Sequence, residues 1–235
     1  MSYLSHQVES SRQSVDARAD FIRKTYLHLG GAVIAFVLLT AALIQSPIAP
    51  AMLDMLSGSR FMWLIVLGAF MVVGTIAERW AMNSSSLGMQ YAGLALYVVA
   101  EAIIFVPLMF IAAYYSDPSV IPTAGILTGA VFGGLTLTVL FTKKDFSFLQ
   151  RFLMIGTFAA MGFILVAILF GITLGSFFSL AMVLLMSGWI LYQTSNVVHH
   201  YPVGAHVAAA LALFASFATL FWYILQLVMS FAGDD

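Results

Sequence analysis

Glu101 is the residue with the strongest claim to chemistry. It sits in the run Tyr97-Val98-Val99-Ala100-Glu101-Ala102-Ile103-Ile104, where every other side chain but Tyr97 is fully apolar. A carboxylate in such surroundings costs about 2.5–3.5 kcal/mol on membrane-insertion scales. It is therefore either a proton or cation site, or a protonated side chain that glues two helices by a hydrogen bond. A second polar set lies near the C-terminal end. Ser216, Thr219, Tyr223 and Gln226 are spaced i, i+3, i+7 and i+10, which places them on one helical face. His206 falls near the same stripe. A third set, Gln193, Asn196 and His200, shares a face of the preceding apolar segment. Glu78-Arg79 closes an earlier one, either as a gate at the membrane surface or as a pair snorkelling into the interface.

Other chemistries lack their residues. The chain has no cysteine, so disulfides, thiolate catalysis and cysteine-based metal sites are excluded. His199, His200 and His206 have no carboxylate or further histidine at metal-site spacing, and no metal is expected. An intramembrane serine protease needs Gly-x-Ser-Gly, but Leu185 stands where Met186-Ser187-Gly188 would need the first glycine. His-Glu-x-x-His is absent. The lysines are Lys24, Lys143 and Lys144, none of them in the last span, so no retinal Schiff base forms there. The chain reads as a non-enzyme.

The elements that must position these groups follow from composition. Of 235 residues, 62% are hydrophobic and 8% charged, with a mean hydropathy of +1.03. A soluble domain is about 45–50% apolar and about 25% charged, so the solvent of this chain is lipid. A balance of 9 Lys+Arg against 10 Asp+Glu leaves no basic stripe for nucleic acid. Spans of about 20 apolar residues are read at roughly 27–46, 61–78, 88–115, 121–141, 149–171, 174–198 and 204–231. Residues 1–24 form a polar tail and 25–235 the seven-span domain. The connections carry breakers: Pro47 and Pro50, the Asn83–Ser86 run, Asp117-Pro118, Gly171 to Gly175, and Tyr201-Pro202.

Basic residues set the orientation. Arg12, Arg18, Arg23, Lys24, Arg79, Lys143, Lys144 and Arg151 fall on one side and only Arg60 on the other. The expected arrangement is a multi-pass inner-membrane protein with its N-terminus cytoplasmic and Asp234 and Asp235 external. Glu101 lies 14 residues into its span, roughly 21 Å of rise, and Ser216 is 12 into its own, roughly 18 Å. Both spans run outward, so the two residues are expected at similar depth and within reach of each other. Pro107 should tilt or kink the long third span. Gly125, Gly129 and Gly133 form a small-residue stripe, expected to pack tightly inside the bundle or to offer a homo-oligomer face.

Three stretches, in order, resemble the Bax inhibitor-1/YccA family, also called TMBIM. They are Phe21-Ile22-Arg23-Lys24-Thr25-Tyr26, Thr142-Lys143-Lys144-Asp145-Phe146-Ser147-Phe148-Leu149, and Tyr192-Gln193-Thr194-Ser195-Asn196-Val197-Val198-His199. The last two look most like the bacterial YccA branch. The resemblance implies an all-α membrane protein, six helices surrounding a central seventh. It also implies one of two roles. In the YccA branch the protein is an interaction partner and modulator of the membrane protease FtsH, with the tail as handle. In other members it is a pH-sensitive calcium or cation leak channel, in which an acidic pair on spans six and seven engages a basic residue near the end of span two. Here Gln193 and Ser216 stand at the acidic positions and neither ionises, while Arg79 matches the basic one. Glu101 is then either a relocated acid or the sign of a different role. The path expected for a channel is lined by Glu101, Gln193, Asn196, Ser216 and Thr219, with Glu78 and Arg79 at its cytoplasmic gate. No cofactor is expected, with calcium considered only as a transported ion.

Overall fold

The structure, a computed structural model, describes residues 2–83 and 85–233, with side chains from Val15 onward apart from Arg60. Asp234 and Asp235, expected outside, lie beyond the described residues, as does Ser84 of the Asn83–Ser86 turn. Eight α-helices follow in order: α1 Ser2–Ile44, α2 Ile48–Ser57, α3 Arg60–Ala81, α4 Leu87–Tyr114, α5 Val120–Thr142, α6 Gln150–Phe170, α7 Ser176–His199 and α8 His206–Ala232. There is no strand among the described residues, and seven of the helices are long and apolar enough to cross a membrane. The protein is an all-α, seven-span membrane protein.

Local chemistry sets most of the boundaries. α1 has no proline and no glycine before Gly30, so the polar tail and first span form one continuous helix from Ser2. Pro47 and Pro50, read as breakers, instead start α2. Pro47 is its N-cap and Pro50 falls in the first turn, where a missing N–H costs nothing. Asn83 Oδ1 accepts from the Ser85 and Ser86 amides at 2.9 and 3.1 Å, and Ser86 Oγ then caps α4 by accepting from Met89 N at 3.3 Å. Gly171 ends α6 at φ 70°, a left-handed position that glycine takes without strain. α4, with 28 residues, runs through Pro107 to Tyr114.

α8 is the hub. In its most apolar window 72% of residues are buried, against at most 44% in any other span. α1, α3, α4, α5 and α7 pack directly on it. α6 packs on α3 and α7 instead and stands off from α8. That stand-off leaves room inside the bundle.

The glycine stripe of α5 corrects the sequence expectation. Gly125 and Gly129 are exposed, and a Cβ added at Gly125, Gly129 or Gly133 would meet nothing within 4 Å. The stripe does not pack inside the bundle. The close small-residue contact lies elsewhere, where Gly93 of α4 presses on Ala77 and Ala81 of α3, both essentially inaccessible. Hydropathy cannot tell these faces apart, because lipid and protein interior are equally apolar.

Candidate functional site

Glu101 is 4% exposed and faces inward from the middle of α4. One turn back on the same helix, Tyr97 is its nearest titratable neighbour. Glu101 lines a cavity of about 640 Å³ that fills the gap left by α6. α8 contributes Thr219, Trp222, Tyr223 and Gln226 to its wall, α3 contributes Trp63 and Phe70, and α2 contributes Ser57. Most lining residues fall on the halves of their helices opposite the N-terminal tail, so the carboxylate stands near the deep end. Near the other end, Gln226 Oε1 accepts from Ser179 Oγ of α7 at 3.0 Å.

Aromatic rings lie on the N-terminal side of Glu101. Phe214 of α8, fully buried, meets Tyr97 of α4 at 6.2 Å and Phe36 of α1 at 5.9 Å between ring centroids, both edge-on. Edge-to-face pairs of this kind add to simple packing. The three rings come from three helices, and Phe36 also meets Phe105 of the cavity wall edge-on at 4.9 Å.

The polar stripe of α8 divides between these levels. Thr219 shares the cavity with Glu101, but its hydroxyl donates to the Ala215 carbonyl at 2.9 Å and not to the carboxylate. Ser216 does not line the cavity. It is buried one turn lower, level with the aromatic layer, and donates to the Ala212 carbonyl at 3.2 Å. Satisfying a hydroxyl on its own helix is the cheap solution in lipid. Gln193 and Asn196, half-buried near the end of α7, are not brought to Glu101 either. α7 runs antiparallel to α8, so the end of α7 meets the start of α8. Glu78 and Arg79 are exposed at the end of α3, and neither has an ion pair among the described residues.

Three polar groupings on the N-terminal face escaped sequence reading. The hydroxyls of Tyr26 on α1, Thr136 on α5 and Thr194 on α7 gather between those helices. His28 of α1 places Nε2 3.0 Å from the Tyr91 hydroxyl, with the His206 ring 4.9 Å away. The third ties the two best motifs together. Asp145 accepts from the Ser147 amide at 2.8 Å, from Ser195 Oγ at 3.2 Å and from His200 Nε2 at 3.0 Å. Ser195 Oγ also accepts from the Phe146 amide at 2.8 Å. The Ser147 amide, helped by the Ser147 and His200 side chains, holds the Asp145 carboxyl down to about 2, so it is charged at neutral pH. The Lys-Asp-Phe-Ser loop is thus latched to the end of α7. Separation by 50 residues hides such a pairing from any local pattern. Among the described residues no three of His, Asp and Glu gather as a metal-binding group.

Comparison with known proteins gives the chain relatives. The family model described as Inhibitor of apoptosis-promoting Bax1 matches residues 18–233. An uncharacterised protein of Pseudomonas aeruginosa is 40% identical over 118 residues, 50% of this chain and 53% of the relative. An uncharacterised membrane protein of Vibrio cholerae is 34% identical over 133 residues, 54% of this chain and 57% of the relative. The chain thus spans just over half the length of these two. The Golgi anti-apoptotic protein of vaccinia virus is 29% identical, with 92% of this chain and 87% of the relative aligned.

Proposed function

The chain belongs to the Bax inhibitor-1 family of membrane proteins, and on that premise we propose that it is a bacterial inner-membrane cation leak whose rate is set by Glu101. The observation that carries this reading is the cavity with a single carboxylate in its lining, next to the packed rings of Tyr97, Phe214 and Phe36. With the N-terminal face in the cytoplasm, as the basic residues imply, the cavity opens outward. A cation entering it loses water in the apolar section and regains a charged oxygen at Glu101. It then has to pass the aromatic layer before reaching the more polar level of Gln193 and Asn196, with Glu78 and Arg79 at the exit. The arrangement replaces the family's acidic pair, which Gln193 and Ser216 cannot form, by one acid on α4.

A proton and a cation compete for that carboxylate, so the leak rises with pH. Purified protein in liposomes, with calcium and proton flux followed across pH, tests this. We expect calcium entry above that of protein-free vesicles, and a Glu101→Gln variant with lower flux and a flattened pH profile. Absence of flux, or an unaltered pH profile in the variant, overturns the reading.

A second reading, in which the protein is a partner of the membrane protease FtsH, draws on α1. Its first contact with the bundle among the described side chains is Arg18, which donates to the Tyr201 carbonyl at 2.6 Å, so the helix from Ser2 to Ala17 adds roughly 24 Å ahead of that point. Such a segment in the cytoplasm is a handle for a protease. Deleting residues 1–20 should leave the bundle folded and lengthen its lifetime in cells that contain the protease. Equal half-lives with and without FtsH would remove this reading, and with it the cytoplasmic placement of the tail as a degradation handle.

A further inference from the structure

We infer that the Glu101 cavity is a binding site for a lipophilic monovalent organic cation, of the quaternary ammonium or phosphonium class. Volume is the first argument. About 640 Å³ is the size of a pocket for a drug-sized molecule, far more than a bare metal ion fills. The walls are the second. Trp63, Phe70, Phe105 and Trp222 present aromatic surface, and aromatic faces attract cations that have shed their water. Phe105 and Trp222 pack edge-on at 4.9 Å, which fixes both rings.

Charge is the third argument. Among the described residues of the lining Glu101 is the one acid, and no Lys, Arg or His among them stands opposite it. The titratable groups that share its surroundings are the phenols of Tyr97 on its own helix and Tyr223 on α8. An uncompensated carboxylate in an apolar cavity is costly to keep. A cation with a hydrocarbon exterior removes that cost and fills the space at once. A neutral hydrocarbon gains nothing by leaving lipid for an equally apolar cavity, so the carboxylate supplies the selectivity. Thr219 donates to the Ala215 carbonyl and Gln226 accepts from Ser179 Oγ, so these two polar side chains of the α8 wall are held within the protein.

The inference shares Glu101 with the leak reading but does not need conduction. Equilibrium binding without a gradient therefore separates the two. The full chain, purified in detergent, is titrated with tetraphenylphosphonium, followed by quenching of the cavity tryptophans and by radioligand dialysis. We expect saturable binding of one cation per chain. Glu101→Gln should weaken it roughly thirtyfold or more, the loss typical of removing one partner of a buried charge pair. Leu108→Trp, which fills the cavity and leaves the carboxylate intact, should weaken it as well. Tetraphenylborate, of nearly the same shape and opposite charge, should not compete. Should Glu101→Gln fail to fold, Leu108→Trp and the borate comparison decide. No saturable binding to the native chain, equal binding to folded Glu101→Gln, or equal competition by tetraphenylborate overturns the inference. Flux without cation binding would sink this site and leave the leak standing.

Discussion

Phe214→Ala will open the bundle. The ring is fully buried and bridges Tyr97 of α4 to Phe36 of α1 immediately below the level of Glu101. Its loss leaves a void between the deep end of the cavity and the polar groups of the N-terminal face. Water can occupy that void, because Ser216 and Tyr97 supply polar partners at the same level. Cation flux in liposomes should rise well above that of the native chain, while Phe214→Leu, which keeps most of the volume, should stay close to it. The same change lowers stability. Phe→Ala in a core costs about 3–5 kcal/mol, and the lower end applies here because a ring released into lipid is not exposed to water. Flux from Phe214→Ala equal to that of the native chain would show that the aromatic layer does not close the path.

The largest purely structural effect is expected at Gly93. A Cβ there would come within 2.5 Å of the Ala77 carbonyl oxygen and 2.6 Å of the Ala81 amide nitrogen. Both are backbone atoms of α3, so no side chain can turn aside. Gly93→Ala must push α3 and α4 apart along their shared face. Overpacking of a core costs about 1–3 kcal/mol, occasionally more, and a backbone obstacle puts this case at about 3 kcal/mol. Thermal unfolding in detergent should show a marked loss. Gly129→Ala is the matched control. It adds the same methyl where nothing lies within 4 Å and should melt at or above the native temperature. If the two variants melt together, the α3–α4 contact is not as tight as described.

Both predictions rest on residues that the sequence does not single out, and the reason is the solvent. In a water-soluble helix the apolar stripe marks the buried face. In lipid the outer face is apolar too. Gly125, Gly129 and Gly133 make the more conspicuous pattern, yet they point outward, while the lone Gly93 carries the close contact. Phe214 reads as one phenylalanine among 20. Glu101 is different: its polarity is so costly in an apolar span that an inward orientation is legible from composition alone, and the structure places it inward, 4% exposed. Its neighbours are less legible. The stripe of α8 puts Thr219 beside the cavity, whereas Ser216, one turn lower, satisfies itself on its own helix.

What the sequence by itself determined are the quantities local to each segment. Seven stretches are long and apolar enough to span, because the bilayer thickness sets a length that can be counted along the chain. The family follows from motifs kept in order. What only the tertiary structure decided is how each span is rotated about its axis and how far it stands from α8. Those choices expose the α5 glycines, draw α6 aside, join Asp145 to Ser195 and His200, and leave a cavity ending at Glu101. They depend on the packing of side chains far apart in sequence, and with lipid outside and hydrocarbon inside, transfer free energy is nearly blind to them.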